Sequence, residues 1–571
     1  MGILCSRSQE EVEADTGVAT PRKRLISKRR SASVARSPST SAKFAATMPQ
    51  DCETDRTAAR RLIDAHDTDI SSLAVPPPSS KRWRGVGEGI DAGFANPDDY
   101  FRARSQVLKL EKTLDFDFRC RVRATDLERR VDAVIQRLKA NDVANVYDVA
   151  EHREGFGGQE HKRFPGDHFL SNVDLIDKTT LLDVARKMPK GAHLHIHFNA
   201  CLEPHVLLDI AKGMDRMFIN SDVPLVPDND YANYEKCEIQ FSIKCIGKEG
   251  PEGDLFSPSY EPRQMMPFAK FLDRFPHEYG RVQGCDADTW LMKKLVFDER
   301  EAHNGFQTAA GAWEKFNGRT RMMKGLFNYE TAYRRYTRLF LEDLVKNNIQ
   351  YAEIRPNFMT SNQLFHDDGT GPIDNWGIMS IIVDEVKLFK ADLAKQPGSR
   401  GRFSGLKVIY CTPRSFSPEM VKAGLDECIA FKQKWPEWIA GFDLVGEEAK
   451  GRPLKDFIPE FLQFQQDCAE RDLDIPFLFH CGETLDMGTD TDQNLVDALL
   501  LNAKRIGHGF ALAKHPYIMQ HMKARGVCLE LCPISNEVLG LTPRVSGHAM
   551  YELLANNVHC TVSSDNGTLF R

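Results

Sequence analysis

The 571-residue chain lacks a basic excess, since 75 Lys and Arg stand against 81 Asp and Glu for a formal charge of -6. That excludes the strongly cationic surface on which nucleic-acid binding depends, so no nucleic-acid partner is expected. It also lacks any apolar run approaching the roughly 20 residues a membrane-spanning helix needs. Its 14 cysteines are scattered, with neither the dense spacing of a disulfide framework nor paired CxxC knuckles, and they read as reduced, mostly buried thiols. The first residues lack the apolar core of a secretory signal. No glycine-rich phosphate turn follows the first strand pattern, which argues against an open dinucleotide-binding sheet.

What the N-terminus does have is Met1-Gly2-Ile3-Leu4-Cys5-Ser6. This matches an N-myristoylation pattern on Gly2 with a palmitoylatable Cys5. The basic clusters Arg22-Lys23-Arg24 and Lys28-Arg29-Arg30 supply the attraction to anionic lipid that a second anchoring signal requires. The pattern predicts a cytoplasmic protein held peripherally at the inner membrane face; the rival reading is a solvated basic tail or a nuclear signal. From residue 6 to about 95 the chain is rich in Ser, Ala, Arg and Pro without apolar periodicity, so residues 1–95 are expected to be a disordered tail. Arg29-Arg30-Ser31-Ala32-Ser33 within it suits phosphorylation. Helical periodicity begins near Asp98 and predicts accessory helices over 96–185.

From there to residue 571 amphipathic runs alternate with short apolar, β-branched ones. The candidate strands are Ala192–His197, Gln350–Arg355, Leu406–Cys411, Ile439–Leu444, Pro476–His480, Arg505–His508, Val527–Leu531 and Val558–Ser563. Helical patterns such as Tyr333–Val345, Met420–Lys434, Leu454–Glu470, Leu495–Ala503 and His548–Asn556 lie between them. Eight such units predict an α/β fold, a (β/α)8 TIM barrel over 186–571. The stretch from about 201 to 348 exceeds any usual βα connection and must be a large insertion after strand one. It reads as a lid or partner-binding subdomain, or as a decoration without function of its own.

In a strand, side chains at i and i+2 share a face, so His195 and His197 can chelate one ion, with His193 one layer lower. Three later strand ends carry His480-Cys481-Gly482-Glu483, Arg505-Ile506-Gly507-His508-Gly509 and Ser563-Ser564-Asp565-Asn566. The catalytic face of such a barrel gathers its C-terminal strand ends, so these positions should converge. Neutral imidazoles plus one carboxylate make the donor set a catalytic zinc prefers, with one position left for water. The predicted ligands of one Zn2+ are His195, His197, His480 and Asp565. Zinc makes hydroxide available near neutral pH. Glu483 is placed to exchange a proton with the substrate, and His508 to orient the attacking water.

Met188-Pro189-Lys190-Gly191 before the histidine pair, followed in order by HCGET, RIGHGF, LCPISN and SSDN, resembles the adenosine deaminase family over about residues 180 to 570. The insertion, Trp313-Glu314-Lys315-Phe316, the run Ala440–Gly446 and Asn494–Leu512 are similar to its adenosine deaminase-related growth factor branch. The resemblance implies a zinc-dependent barrel that converts adenosine or deoxyadenosine to the inosine product with release of ammonia. It implies that Glu483 protonates the purine N1, that His508 manages the hydroxide and that the Gly446 backbone contacts the ring. Asn566, where the family usually has a second aspartate, would touch the purine N7, to which an amide can donate. Phe198-Asn199-Ala200 stands where many members carry an acidic residue and glycine, so Asn199 is the candidate ribose contact, with Trp313 a further substrate contact. By the same resemblance the accessory helices would mediate a homodimer, the protein would be secreted rather than cytoplasmic, and a non-catalytic growth-factor-like role stands as the alternative. Deamination of another 6-aminopurine, adenine or AMP, is the enzymatic alternative. The chain stops six residues beyond Asp565, where the family continues into a closing helix, so a truncated C-terminus is expected.

Overall fold

The computed structural model describes residues 94–155, 157–359, 363–398 and 401–570. Gly2, Cys5, Ser31 and all but the last two residues of the expected tail therefore lie outside the described residues. Eight parallel strands form the centre: β1 (Gly191–His193), β2 (Ile349–Ile354), β3 (Gly405–Pro413), β4 (Ile439–Val445), β5 (His480–Cys481), β6 (Arg505–His508), β7 (Cys528–Leu531) and β8 (His559–Val562). Ladders run in the order β4-β3-β2-β1 and β5-β6-β7-β8. Single bridges join the two arcs at both seams, Phe442 to Phe477 between β4 and β5, and Ile196 to Asp565 between β1 and β8. The ring is a (β/α)8 barrel. Its longest strands read as near-continuous apolar runs, Val408-Ile409-Tyr410 and Phe442 with Leu444-Val445, all buried, because helices and barrel interior cover both faces.

Four strands are shorter than their sequence patterns, β7 by one residue at its start. Regular pairing of β1 ends at His193 after a register shift at Gly191/Ala192, and the chain continues to His197 through isolated bridges to Asp565 and Arg355. β5 is reduced to His480–Cys481, since Pro476 has no N–H for a ladder. β8 stops at Val562, before the left-handed backbone at Asp565.

Helix boundaries are set by local chemistry. Ser417 accepts from the Met420 N–H and Pro418 occupies the first turn of Pro418–Lys434, a pre-organised start. The helix Glu330–Lys346 buries Ala332, Tyr333, Tyr336, Phe340 and Leu344 and packs on β2. Before the barrel, Asp126–Asp142 begins with a capping box between Thr125 and Glu128, whereas Pro97–Lys112 has no buried residue and exposes Tyr100, Phe101, Leu108 and Leu110.

The stretch between β1 and β2 holds a three-stranded antiparallel sheet, in which Phe218–Ser221 lies between Ile239–Ser242 and Met266–Pro267. Around it, Tyr234, Phe271, Phe275, Tyr279 and Trp290 form an aromatic core. Phe570 packs its ring against Phe297 and Phe316 of this segment. Among the described residues all cysteines are free thiols, and no helix is long and apolar enough to cross a membrane.

Candidate metal centre

The C-terminal ends of β1, β5 and β8 bring four metal-type donors together. His197 Nε2 lies 3.3 Å from His480 Nε2 and 3.2 Å from Asp565 Oδ1, and His195 Nε2 lies 3.7 Å from the same oxygen. The outer nitrogens explain why the inner ones are bare. His195 Nδ1 donates to Glu530 Oε2 at 2.8 Å, and His480 Nδ1 donates to Asp443 Oδ2 at 2.7 Å. Each ring thereby presents an Nε2 lone pair inward, the orientation that a carboxylate behind a metal-ligating histidine enforces. His195 Nε2 is buried without a hydrogen-bond partner. Lone pairs facing one another around a carboxylate are what a cation satisfies, so the residues fit a zinc ion. Burial pushes the His195 and His197 imidazoles well down, reinforced at His195 by Arg355 and at His197 by His480. Both stay neutral, the form that ligates.

A buried ion network holds these donors. Arg355, at the end of β2, donates from Nε to Asp443 Oδ2 at 2.7 Å and from Nη2 to Glu530 Oε2 at 2.8 Å, and all three side chains are inaccessible to solvent. Burial alone would raise the Asp443 carboxyl, but His480 and Arg355 hold it well below the usual range. Asp565 is fixed from its other side, where Ser535 Oγ donates to Oδ2 at 2.7 Å. Gly507 allows close packing, because a Cβ there would meet His195 Cε1 at 2.8 Å. Both His508 and Asp565 adopt left-handed backbone, with φ of 62° and 59°, a conformation that costs energy in non-glycine residues and concentrates at working sites.

Glu483 and His508 stand beside this cluster, with His508 Nδ1 3.4 Å from Glu483 Oε1. His508 also lies within ligating reach of His195 and His480, and Glu483 within reach of Asp565. Burial, then the Asp565 and Glu448 carboxylates, raises the Glu483 carboxyl well above its ordinary value. Its protonated form, the one that can donate, is thereby favoured. Its backbone N–H is held by Glu448 Oε2 at 2.6 Å, while Glu448 Oε1 accepts from Gly482 N and from Asn494 Nδ2. A second chain orients His508. The Met550 N–H donates to His548 Nδ1, the other ring nitrogen of His548 faces Asn536 Oδ1 at 2.9 Å, and Asn536 Nδ2 lies 3.2 Å from His508 Nδ1.

The other expected contacts are placed unequally. Asn566 is buried and donates from Nδ2 to Asp565 Oδ1 at 2.8 Å. Gly446 follows β4 at φ 109°, and half-buried Asn199 sits in the turn Phe198–Ala200 directly after His197. Trp313 is buried in the helix Ala309–Phe327 with its ring against Phe316, in the insertion rather than among the donors. His193 turns away, its Nε2 lying 2.9 Å from Ser564 Oγ. Sequence reasoning misses Arg355, Asp443, Glu530, Glu448, Ser535 and Asn536. A signal exists for Asp443 and Glu530, each a lone charge in an apolar strand, Phe442-Asp443-Leu444 and Leu529-Glu530-Leu531.

A parallel barrel whose C-terminal mouth converges neutral histidines and a carboxylate around a buried glutamic acid defines a class, the metal-assisted hydrolases. Residues 293–571 match the family model described as adenosine deaminase. An adenosine deaminase from Lutzomyia longipalpis is 36% identical over 484 residues, covering 82% of this chain and 81% of its own. Adenosine deaminase 2 from Sus scrofa is 29% identical over 464 residues, covering 78% and 83%. Among solved structures, an adenine deaminase from Arthrobacter aurescens aligns over 67% of this chain and 84% of its own with a TM-score of 0.42 and 18% identity. The chain belongs to the adenosine deaminase family.

Proposed function

We propose that the protein hydrolytically deaminates adenosine or deoxyadenosine, yielding inosine or deoxyinosine and ammonia. Four donors, His195, His197, His480 and Asp565, would hold a single zinc ion. When bound there, zinc supplies a Lewis acid that makes hydroxide available at neutral pH.

The chain's own residues supply the rest. Water adds to C6 of the purine, and Glu483, its protonated form favoured by burial, gives its proton to N1 so that negative charge does not accumulate on the ring. His508 takes the proton that the attacking water sheds, with its orientation set by the Asn536–His548 chain. The 6-amino group then takes the proton held by His508 and leaves as ammonia, while the new C6 hydroxyl returns its proton to Glu483 as it becomes the carbonyl, which resets both residues. Asn566 is positioned to offer an amide proton to N7 if it releases Asp565, and the Gly446 backbone lines the rim where the ring would lie. Asn199 and Trp313 are proposed as outer contacts to the sugar.

The observation that carries this reading is the convergence of His195 Nε2 and His197 Nε2 on Asp565 Oδ1 and of His197 Nε2 on His480 Nε2, with a carboxylate behind both His195 and His480 and with Glu483 beside His508. The test is ammonia release from a panel of adenosine, deoxyadenosine, adenine and AMP by zinc-loaded protein. The nucleosides are expected to turn over fastest. Faster turnover of adenine or AMP would move the assignment to that substrate, and no ammonia from any of them would remove it.

A further inference from the structure

A second cluster of ligating side chains lies outside the barrel centre. Stacked imidazoles of His168 and His303, 4.3 Å between centroids and 18° apart in plane, face one carboxylate. His303 Nε2 is 3.6 Å from Glu537 Oε1, and His168 Nδ1 is 4.0 Å from it. Neither nitrogen has a hydrogen-bond partner although both atoms are buried. The His303 side chain is only 5% exposed and that of Glu537 not at all.

We propose that His168 Nδ1, His303 Nε2 and Glu537 Oε1 form a second metal site, taking a divalent transition cation of the zinc class, with water completing its coordination. Two nitrogens and one carboxylate oxygen are the donor chemistry for such an ion. Tetrahedral coordination at ordinary Zn–N and Zn–O lengths brings donors to about 3.3 Å from one another, so the distances to Glu537 need little adjustment, whereas the nearly parallel imidazoles require one ring to turn out of the stack before both in-plane lone pairs meet at one ion.

The surroundings act as a supporting shell. His168 Nδ1 is buried without a partner on the side of the cluster. Glu537 is fixed by the N–H groups of Phe169 and Val545, at 2.6 and 2.7 Å. The nearby cations are already matched, Arg544 with Asp167 and Arg153 with Glu299.

The three donors come from three parts of the chain. His168 caps the pre-barrel helix Phe169–Ile176, His303 caps Glu299–Ala302 in the insertion, and Glu537 lies in Pro533–Val538 directly after β7. An ion here would clip the pre-barrel segment and the insertion to the barrel roof.

The test is zinc content of full-length protein after passage over chelating resin, together with a zinc-edge anomalous difference map of wild-type crystals soaked in zinc. Wild type is expected to hold a zinc beyond the barrel ion and to show a peak between His168, His303 and Glu537. His303→Ala and His168→Gln should each lose one equivalent and keep the barrel ion, whereas Asp565→Ala should lose the barrel ion and keep this one. Absence of the peak in the soaked wild-type crystal, or retention of every zinc equivalent by folded His303→Ala, would overturn the proposal, and neither result depends on the substrate assignment.

Discussion

The two arcs of the barrel do different work. In the arc β1–β4 every strand but the three-residue β1 is long, six residues in β2, nine in β3 and seven in β4, and after His195 and His197 what it gives the site is support, through Arg355, Asp443 and Gly446. The arc β5–β8 has strands of two to four residues, yet His480, Glu483, His508, Glu530 and Asp565 all come from it. Regular pairing thus stabilises one side, while the other gives up ladder length for strand ends that turn abruptly, with His508 and Asp565 in left-handed backbone. Three of the four donors, His195, His197 and Asp565, flank the β8/β1 seam, where the Ile196–Asp565 bridge pairs the two arcs, and His480 reaches them from β5. Arg355 reaches across from the regular arc to Glu530 in the irregular one, tying the carboxylates behind both histidines to a single cation.

This division can be broken in graded steps. The largest effect is expected from Glu483→Gln on the irregular arc, which removes the proton donor while sparing the metal donors. Its kcat should fall by ~10²–10⁴ with zinc content unchanged; loss of zinc instead would make Glu483 part of the metal site. Arg355→Met removes the cross-arc cation, leaving buried Asp443 with His480 alone and buried Glu530 with His195 and Arg505. It should cost about 3–5 kcal/mol of stability, read as a lower urea midpoint, and an unshifted midpoint would show that the arcs do not depend on it. On the regular arc, Asp443→Asn should weaken zinc binding by ~10–100-fold in a competitive chelator titration, with stability less affected than by Arg355→Met.

The smallest effect is a pH dependence. Burial holds the His548 pKa down at about 4 against an ordinary 6.5. The unfolded chain therefore takes up a proton at this residue before the folded protein does, and stability should decline as pH falls from about 6.5 to 4. Thermal melts of wild type and His548→Phe over that window check it, since the variant should show a shallower decline.

Much of the fold is legible because buried parallel strands leave contiguous apolar runs, and Val408-Ile409-Tyr410 cannot be mistaken for a surface. Strand ends are less so. Whether the chain from His193 to His197 joins a ladder is decided by partners hundreds of residues away at the seam, and His195 with His197 reads as a continuous strand when it is not. The residue types of the site are legible at strand termini, and the structure brings them together in overlapping groups, His195 with His480 and His508, His195 with His197 and Asp565, and Glu483 with His508 and Asp565. The supporting shell is not legible. Asp443 and Glu530 stand out as charges in apolar strands, but their shared partner Arg355 lies 88 and 175 residues away in sequence, and nothing local to any of them names the others. The cluster of His168, His303 and Glu537 is hidden for the same reason.

The central claim is that His195, His197, His480 and Asp565 hold the ion on which turnover of an adenosine-like nucleoside depends. It is tested most directly by titrating zinc back into metal-stripped protein while following ammonia release from adenosine, for wild type and Asp565→Ala side by side. Activity should return with added zinc in the wild type and stay absent in the variant. Full activity in the stripped protein, or equal recovery in Asp565→Ala, would contradict the account.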